Sequence, residues 1–214
     1  MEKIIKILGK GEKSFSPDTT VVTLSFSKLC ITYDEALARS VEDLSKIQNA
    51  LKAIDLDKDC VKTSYFNIST QTERIRDEHG NYKKTLFLGY KYDQTLTITF
   101  SRSNKTLGKI INQISQYDID SDMKISYILK DVNKANEEVL KLAVEDAKSK
   151  AALIGESLCL KNITPVSINY HTSNSHDEEY AMCFEAPRLL NESINIEPED
   201  IKMSDSVVVS FMFD

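Results

Sequence analysis

The chain has 214 residues, 41% of them hydrophobic, and 27 basic against 33 acidic side chains leave a net charge of -6. That length and apolar content support a sizeable core in one large domain or two small ones. Lys and Arg are spread along the chain without a basic cluster, which argues against nucleic-acid binding, and no apolar run approaches the ~20 residues of a membrane-spanning helix.

In Met1-Glu2-Lys3-Ile4-Ile5-Lys6-Ile7-Leu8-Gly9, charged Lys6 sits where a signal peptide needs an unbroken apolar stretch. The segment therefore reads as a first strand over 3–13, and a soluble, cytoplasmic protein is expected, or a periplasmic one where a leader has been removed. After a Pro17-Asp18 turn, Thr20, Val22, Leu24 and Phe26 alternate with Val21, Thr23, Ser25 and Ser27, giving a second strand over 18–29. Thr32 and Glu35 form a capping box for a helix to Ile54, with Leu37, Val41, Leu44, Ile47, Leu51 and Ile54 as its stripe.

Strands follow over 60–75 and 83–101, joined through Gly80-Asn81, a hairpin turn signal. In the second of them Leu86, Leu88, Tyr90, Tyr92, Leu96, Ile98 and Phe100 share one parity, which predicts a long strand with one buried face. Asn104 is the expected cap of a second helix bearing Leu107, Ile110, Ile111 and Ile114. A strand over 121–130 then carries Met123, Ile125, Tyr127 and Leu129 on one face.

A third helix over 133–158 presents Leu140, Val144, Ala147, Ala151, Ile154 and Leu158, and its alanines predict a close approach to a sheet. Thr164-Pro165 opens a strand over 163–171, residues 172–192 read as a polar loop, and a last strand covers 201–213. The expected fold class is α+β: a ferredoxin-like βαββαβ unit over 14–131 plus a second, discontinuous α+β layer. That layer would use 1–13 and 132–214, meaning the first strand, the third helix and the last two strands.

Several of these residues stand out as a set. Gly9-Lys10-Gly11 is followed by Pro17-Asp18 and a strand, Gly89-Tyr90 lies in the long fourth strand, and Ala143, Ala147 and Ala151 precede Gly155 and Leu158. A turn with Pro198 precedes the final strand. In this order they resemble the SIMPL-domain family over nearly the whole chain. The resemblance implies bacterial relatives that are periplasmic or associated with the outer membrane, some of them assembling as ring-like oligomers. It supplies no catalytic residues to carry over.

The residues themselves carry little recognisable chemistry. A dinucleotide fingerprint needs a third glycine and an immediate helix after Gly9 and Gly11, and a strand follows instead. His171, His176, Asp177, Glu178 and Glu179 are the densest ligand-capable group, but they lack a helical H-x-x-x-H spacing. No G-x-S-x-G occurs, and His79 falls in the hairpin turn. Cys30, Cys60, Cys159 and Cys183 contain no C-x-x-C pair and read as unpaired, mostly buried thiols. Tyr65, Tyr82, Tyr90 and Tyr92 could line a groove or pack across strands.

The expectation is a non-catalytic protein without metal, cofactor or catalytic residues. It forms a homo-oligomer or meets a protein partner, with no nucleic acid and no membrane span. A ligand- or metal-binding module using the His171–Tyr180 loop is the alternative.

Overall fold

The computed structural model describes residues 3–117, 121–170, 184–185 and 196–214. In chain order the elements are β1 (Ile4–Phe15), β2 (Thr19–Cys30), α1 (Tyr33–Lys52), β3 (Val61–Arg76), β4 (Tyr82–Ser101) and α2 (Asn104–Gln116). Then come β5 (Asp122–Ile128), α3 (Val132–Ser157), β6 (Thr164–Asn169), β7 (Phe184–Glu185) and β8 (Ile201–Met212). The chain is therefore α+β, with three helices and two antiparallel sheets among the described residues. It divides into two compact units: of the described residues, 3–18, 128–170 and 198–214 form one, and 19–117, 121–127, 184–185 and 196–197 form the other. Phe184–Glu185, inside the span expected to be a loop, pairs with β5.

One unit holds a three-stranded sheet in the order β1-β8-β6, with α3 on one face. β1 runs antiparallel to β8 from Ile4 opposite Met212 to Phe15 opposite Ile201. Ile7, Val207, Val209 and Phe211 point to the helix and bury there with Ala143, Ala147 and Ala151.

Small residues set this contact. A Cβ on Gly9 would lie 2.1 Å from the Ala143 carbonyl oxygen, and one on Gly11 would lie 2.1 Å from that of Val139. The strand backbone thus lies directly against the helix backbone, and the helix presents Ala135, Val139, Ala143, Ala147, Ala151 and Gly155 at every fourth position. The expected stripe was rotated from this one. Of its members only Ala147 and Ala151 are fully buried, and Leu158 is exposed. A wide leucine face could not come so close.

The other unit holds a five-stranded sheet in the order β3-β4-β2-β5-β7, covered by α1 and α2. Val22, Leu24, Phe26, Tyr92, Leu96 and Ile98 form the sheet side of its core, and Ala36, Ile47, Leu51, Leu107, Ile110 and Ile114 the helix side. Thr32 caps α1 by accepting from the Glu35 amide, and the Glu35 carboxylate reaches back past the cap to accept from the Ile31 amide, a capping box displaced by one residue. The cap of α2 is Ser103 rather than Asn104, because the Ser103 hydroxyl accepts the Thr106 amide.

The expected α1 stripe also needs correction, since Leu37 and Val41 are exposed while Ser40 and Asp43 are buried. The single-parity reading of β4 fails at Leu88. There the register jumps from Gln71 opposite Gly89 to Thr72 opposite Phe87, so Leu88 is an extra residue and the faces exchange beyond it. Gly89 takes a φ of 137° at this bulge, with the Cys30 carbonyl against its Cα.

Gly9→Ala is expected to lower stability by roughly 2–3 kcal/mol, because helix and strand must separate to admit the methyl group. Gly108→Ala, in open space on α2, should instead raise it by about 0.5–1 kcal/mol. Urea midpoints at constant m-value would measure both.

Candidate functional site

The most concentrated polar chemistry among the described residues lies inside the five-stranded unit. Asp43 on α1 is 5% exposed and Tyr92 on β4 is fully buried. The Tyr92 hydroxyl donates to Asp43 Oδ2. Lys28, opposite Tyr92 in the β2–β4 register, sends its Nζ to Asp43 Oδ1 at 3.2 Å and Oδ2 at 3.1 Å. The carboxylate is thus held by one neutral and one cationic donor, as a charge taken out of water must be.

Burial, and then the hydrogen bond to the Asp43 carboxylate, push the Tyr92 hydroxyl well above the ordinary phenol range. A phenol in that state keeps its proton through the physiological range, so the arrangement can hold a hydrogen bond but cannot serve as a base. A catalytic group must also reach its substrate, and Tyr92 reaches no solvent. The cluster ties α1 to β2 and β4. Sequence reading missed Lys28 and Asp43, because a single Asp or Lys in an otherwise amphipathic element looks like a solvated side chain.

The second distinctive feature is the distal half of the β3–β4 hairpin. Tyr82, Leu86, Phe87 and Leu88 are exposed there, and Tyr65 and Phe66, opposite Thr95 and Gln94 in the other half of the hairpin, are exposed as well. Asp77 closes the turn, its carboxylate accepting from the His79 and Asn81 amides. Tyr90 meets Tyr33 and Phe87 edge to face, with centroids 5.8 and 5.4 Å apart. The four candidate tyrosines therefore do not line one groove. Tyr92 is buried in the polar cluster, Tyr90 packs among aromatics, and Tyr65 and Tyr82 face solvent.

Gly9 and Gly11 serve the helix contact just described rather than a phosphate loop. The His171–Tyr180 segment and Cys183 lie outside the described residues. Of the other cysteines Cys30 is buried, Cys60 is half-buried and Cys159 is exposed, so burial is not their common property. No three His, Cys, Asp or Glu side chains gather as a metal ligand set among the described residues. Among the described residues, no helix is long and apolar enough to cross a membrane.

The family model described as "SIMPL: Protein of unknown function (DUF541)" matches residues 5–211. The chain belongs to the SIMPL family. It is similar to the 26 kDa periplasmic immunogenic protein of Brucella melitensis, 24% identical over 153 residues. The protein of the same name from Brucella abortus is 23% identical over 153 residues. Each match covers 72% of this chain but only 60% of the relative's length. Both relatives are named as periplasmic, which does not support the cytoplasmic placement expected from the first residues.

Above pH 10 the wild-type protein should lose stability as pH rises. With the folded Tyr92 pKa raised, the unfolded chain releases this proton first, and the loss approaches about 1.4 kcal/mol per pH unit. Tyr92→Phe should show a shallower decline over that range, and at pH 7 it should be destabilised by about 1.5–3 kcal/mol. Chemical denaturation at several pH values would measure both effects.

Proposed function

We propose that this SIMPL-family protein is a non-catalytic module that works by associating with copies of itself. The exposed apolar side chains of the hairpin carry the reading: Tyr65 is 53% exposed and Phe66 44% in one half, and Phe87 is 51% exposed in the other with Leu86 and Leu88 beside it. Exposed large apolar side chains gathered on one hairpin mark an interaction site more often than singly scattered ones do. Ile4, Leu8 and Met212, on the sheet face of the other unit turned away from α3, add a second exposed apolar set. The closed state of the Lys28–Asp43–Tyr92 cluster supports a structural rather than a catalytic role for it.

The periplasmic naming of the two relatives favours the periplasm as the place of action. We also read the five-stranded unit as ferredoxin-like. β4 lies between β2 and β3, and β2 lies between β4 and β5, so each β-α-β half is split by a strand of the other.

Light scattering on the purified protein across the micromolar range tests self-association. Masses at multiples of the monomer are expected, and monomer throughout would sink the reading. Phe66→Ser combined with Phe87→Ser should raise the association midpoint at least about tenfold, the effect of losing roughly 1.4 kcal/mol. The circular dichroism spectrum should stay unchanged.

A further inference from the structure

Four strands end the two sheets, and they are finished differently. β1 is covered by side chains of α3: Asp146 Oδ2 accepts the Lys10 amide at 2.7 Å, and Lys150 Nζ donates to the Leu8 carbonyl at 3.1 Å. β6 is short, contains Pro165 and carries an irregularity between Pro165 and Ser167. β7 has two residues. These are the usual ways of blunting an edge. β3 is different. It runs from Val61 to Arg76 at the end of its sheet, contains no proline, and no strand pairs along its outer side among the described residues.

The regular part of β3 is also symmetric about one residue. Ser64 is an extra residue against β4, between Thr63 and Tyr65, and the next irregularities, at Gln71/Thr72 and Ile75/Arg76, add residues to β4 instead. From Tyr65 to its end at Arg76 the strand thus alternates without interruption, and the Tyr65–Ile75 stretch ahead of the last irregularity is centred on Thr70.

We propose that this edge pairs antiparallel with β3 of a second copy about a twofold axis at Thr70. The proposal rests on the self-association reading above and names its interface. In this register Tyr65 lies opposite Ile75, Phe66 opposite Arg74, Asn67 opposite Glu73, Ile68 opposite Thr72 and Ser69 opposite Gln71. No like charges oppose each other. Two exposed aromatic rings gain partners, one an aliphatic side chain and the other a guanidinium. Neighbouring registers are worse. Centring on Ser69 sets Arg76 against Lys62 and brings the Ser64 irregularity into the ladder, while centring on Gln71 carries Tyr65 past the strand's end to Asp77. An isologous pair of this kind closes on itself and would extend the five-stranded sheet across two copies.

Cysteine pairing tests the register. Residues directly opposite in an antiparallel pair stand about 4.5–5.5 Å apart at Cα, within disulfide range. With copper phenanthroline as oxidant, Thr70→Cys should give disulfide-linked dimer several-fold above wild type, which supplies the background of the native cysteines. Asn67→Cys alone should stay at that background, whereas Asn67→Cys mixed with Glu73→Cys should cross-link. Light scattering on the reduced variants reads association separately. Multimers without cross-linking at Thr70 would overturn the edge proposal and leave self-association standing. Monomer with no cross-link would overturn both. Equal cross-linking by Thr70→Cys and Asn67→Cys alone would reveal random collision and also overturn the register.

Discussion

The three-stranded unit depends on two missing side chains. With hydrogen in place of Cβ at Gly9 and Gly11, the backbone of β1 rests on the backbone of α3. Only a helix face of alanine, with Val139 and Gly155 near its ends, can accept that distance. The approach fixes more than packing. It brings the next helix positions over the strand's free side, so that Asp146 and Lys150 reach the Lys10 amide and the Leu8 carbonyl. The carboxyl of Asp146 is held below its usual range, first by Lys150 and then by the Lys10 amide. A wider helix–sheet spacing, of the kind leucines impose, would leave these side chains too far away and the edge open.

The five-stranded unit is organised differently. Its helix α1 carries a carboxylate into the core, which is unfavourable unless donors meet it there. Lys28 and Tyr92 come from adjacent strands and stand opposite each other, so the cluster is satisfied only when β2, β4 and α1 adopt one relative register. Apolar contacts alone would tolerate small slides of the helix along the sheet. The buried ion pair with its phenol does not, since a slip leaves a charge without a partner. The constraint thus acts on specificity of packing as much as on stability.

Sequence periodicity made the elements themselves legible: each of the ten expected helices and strands has an observed counterpart, with ends within a few residues. The Thr32–Glu35 capping box and the Gly80 turn were readable because their chemistry is local. Which face of a helix is buried was less legible. In α3 the strongest apolar stripe by side-chain size is not the buried one, because the glycines of a distant strand select small residues over large ones. In α1 the buried Asp43 became intelligible only with Lys28 and Tyr92 beside it, and neither is near in sequence. The bulge at Leu88 was hidden because it inserts one residue into an apolar run, where alternation continues by eye although the faces have exchanged.

The contrast between the edges bears on why this chain carries a hairpin of this length. A strand of 16 residues extends its pairing with β4 out to Arg76 opposite Tyr82, well past the part of the sheet covered by the helices. Core burial does not account for that extension, since its side chains remain exposed. Turn chemistry does not require it either, because a hairpin could close near Gly89 and save the ordering entropy of the residues beyond. The rest of the fold blunts its edges by three separate devices, so an unblunted edge on the longest edge strand is not a general tolerance of open strands. What remains is a surface whose backbone donors and acceptors and apolar side chains another strand would complete, and under the proposed pairing the regular alternation between Tyr65 and Ile75 makes a copy of itself a fitting one.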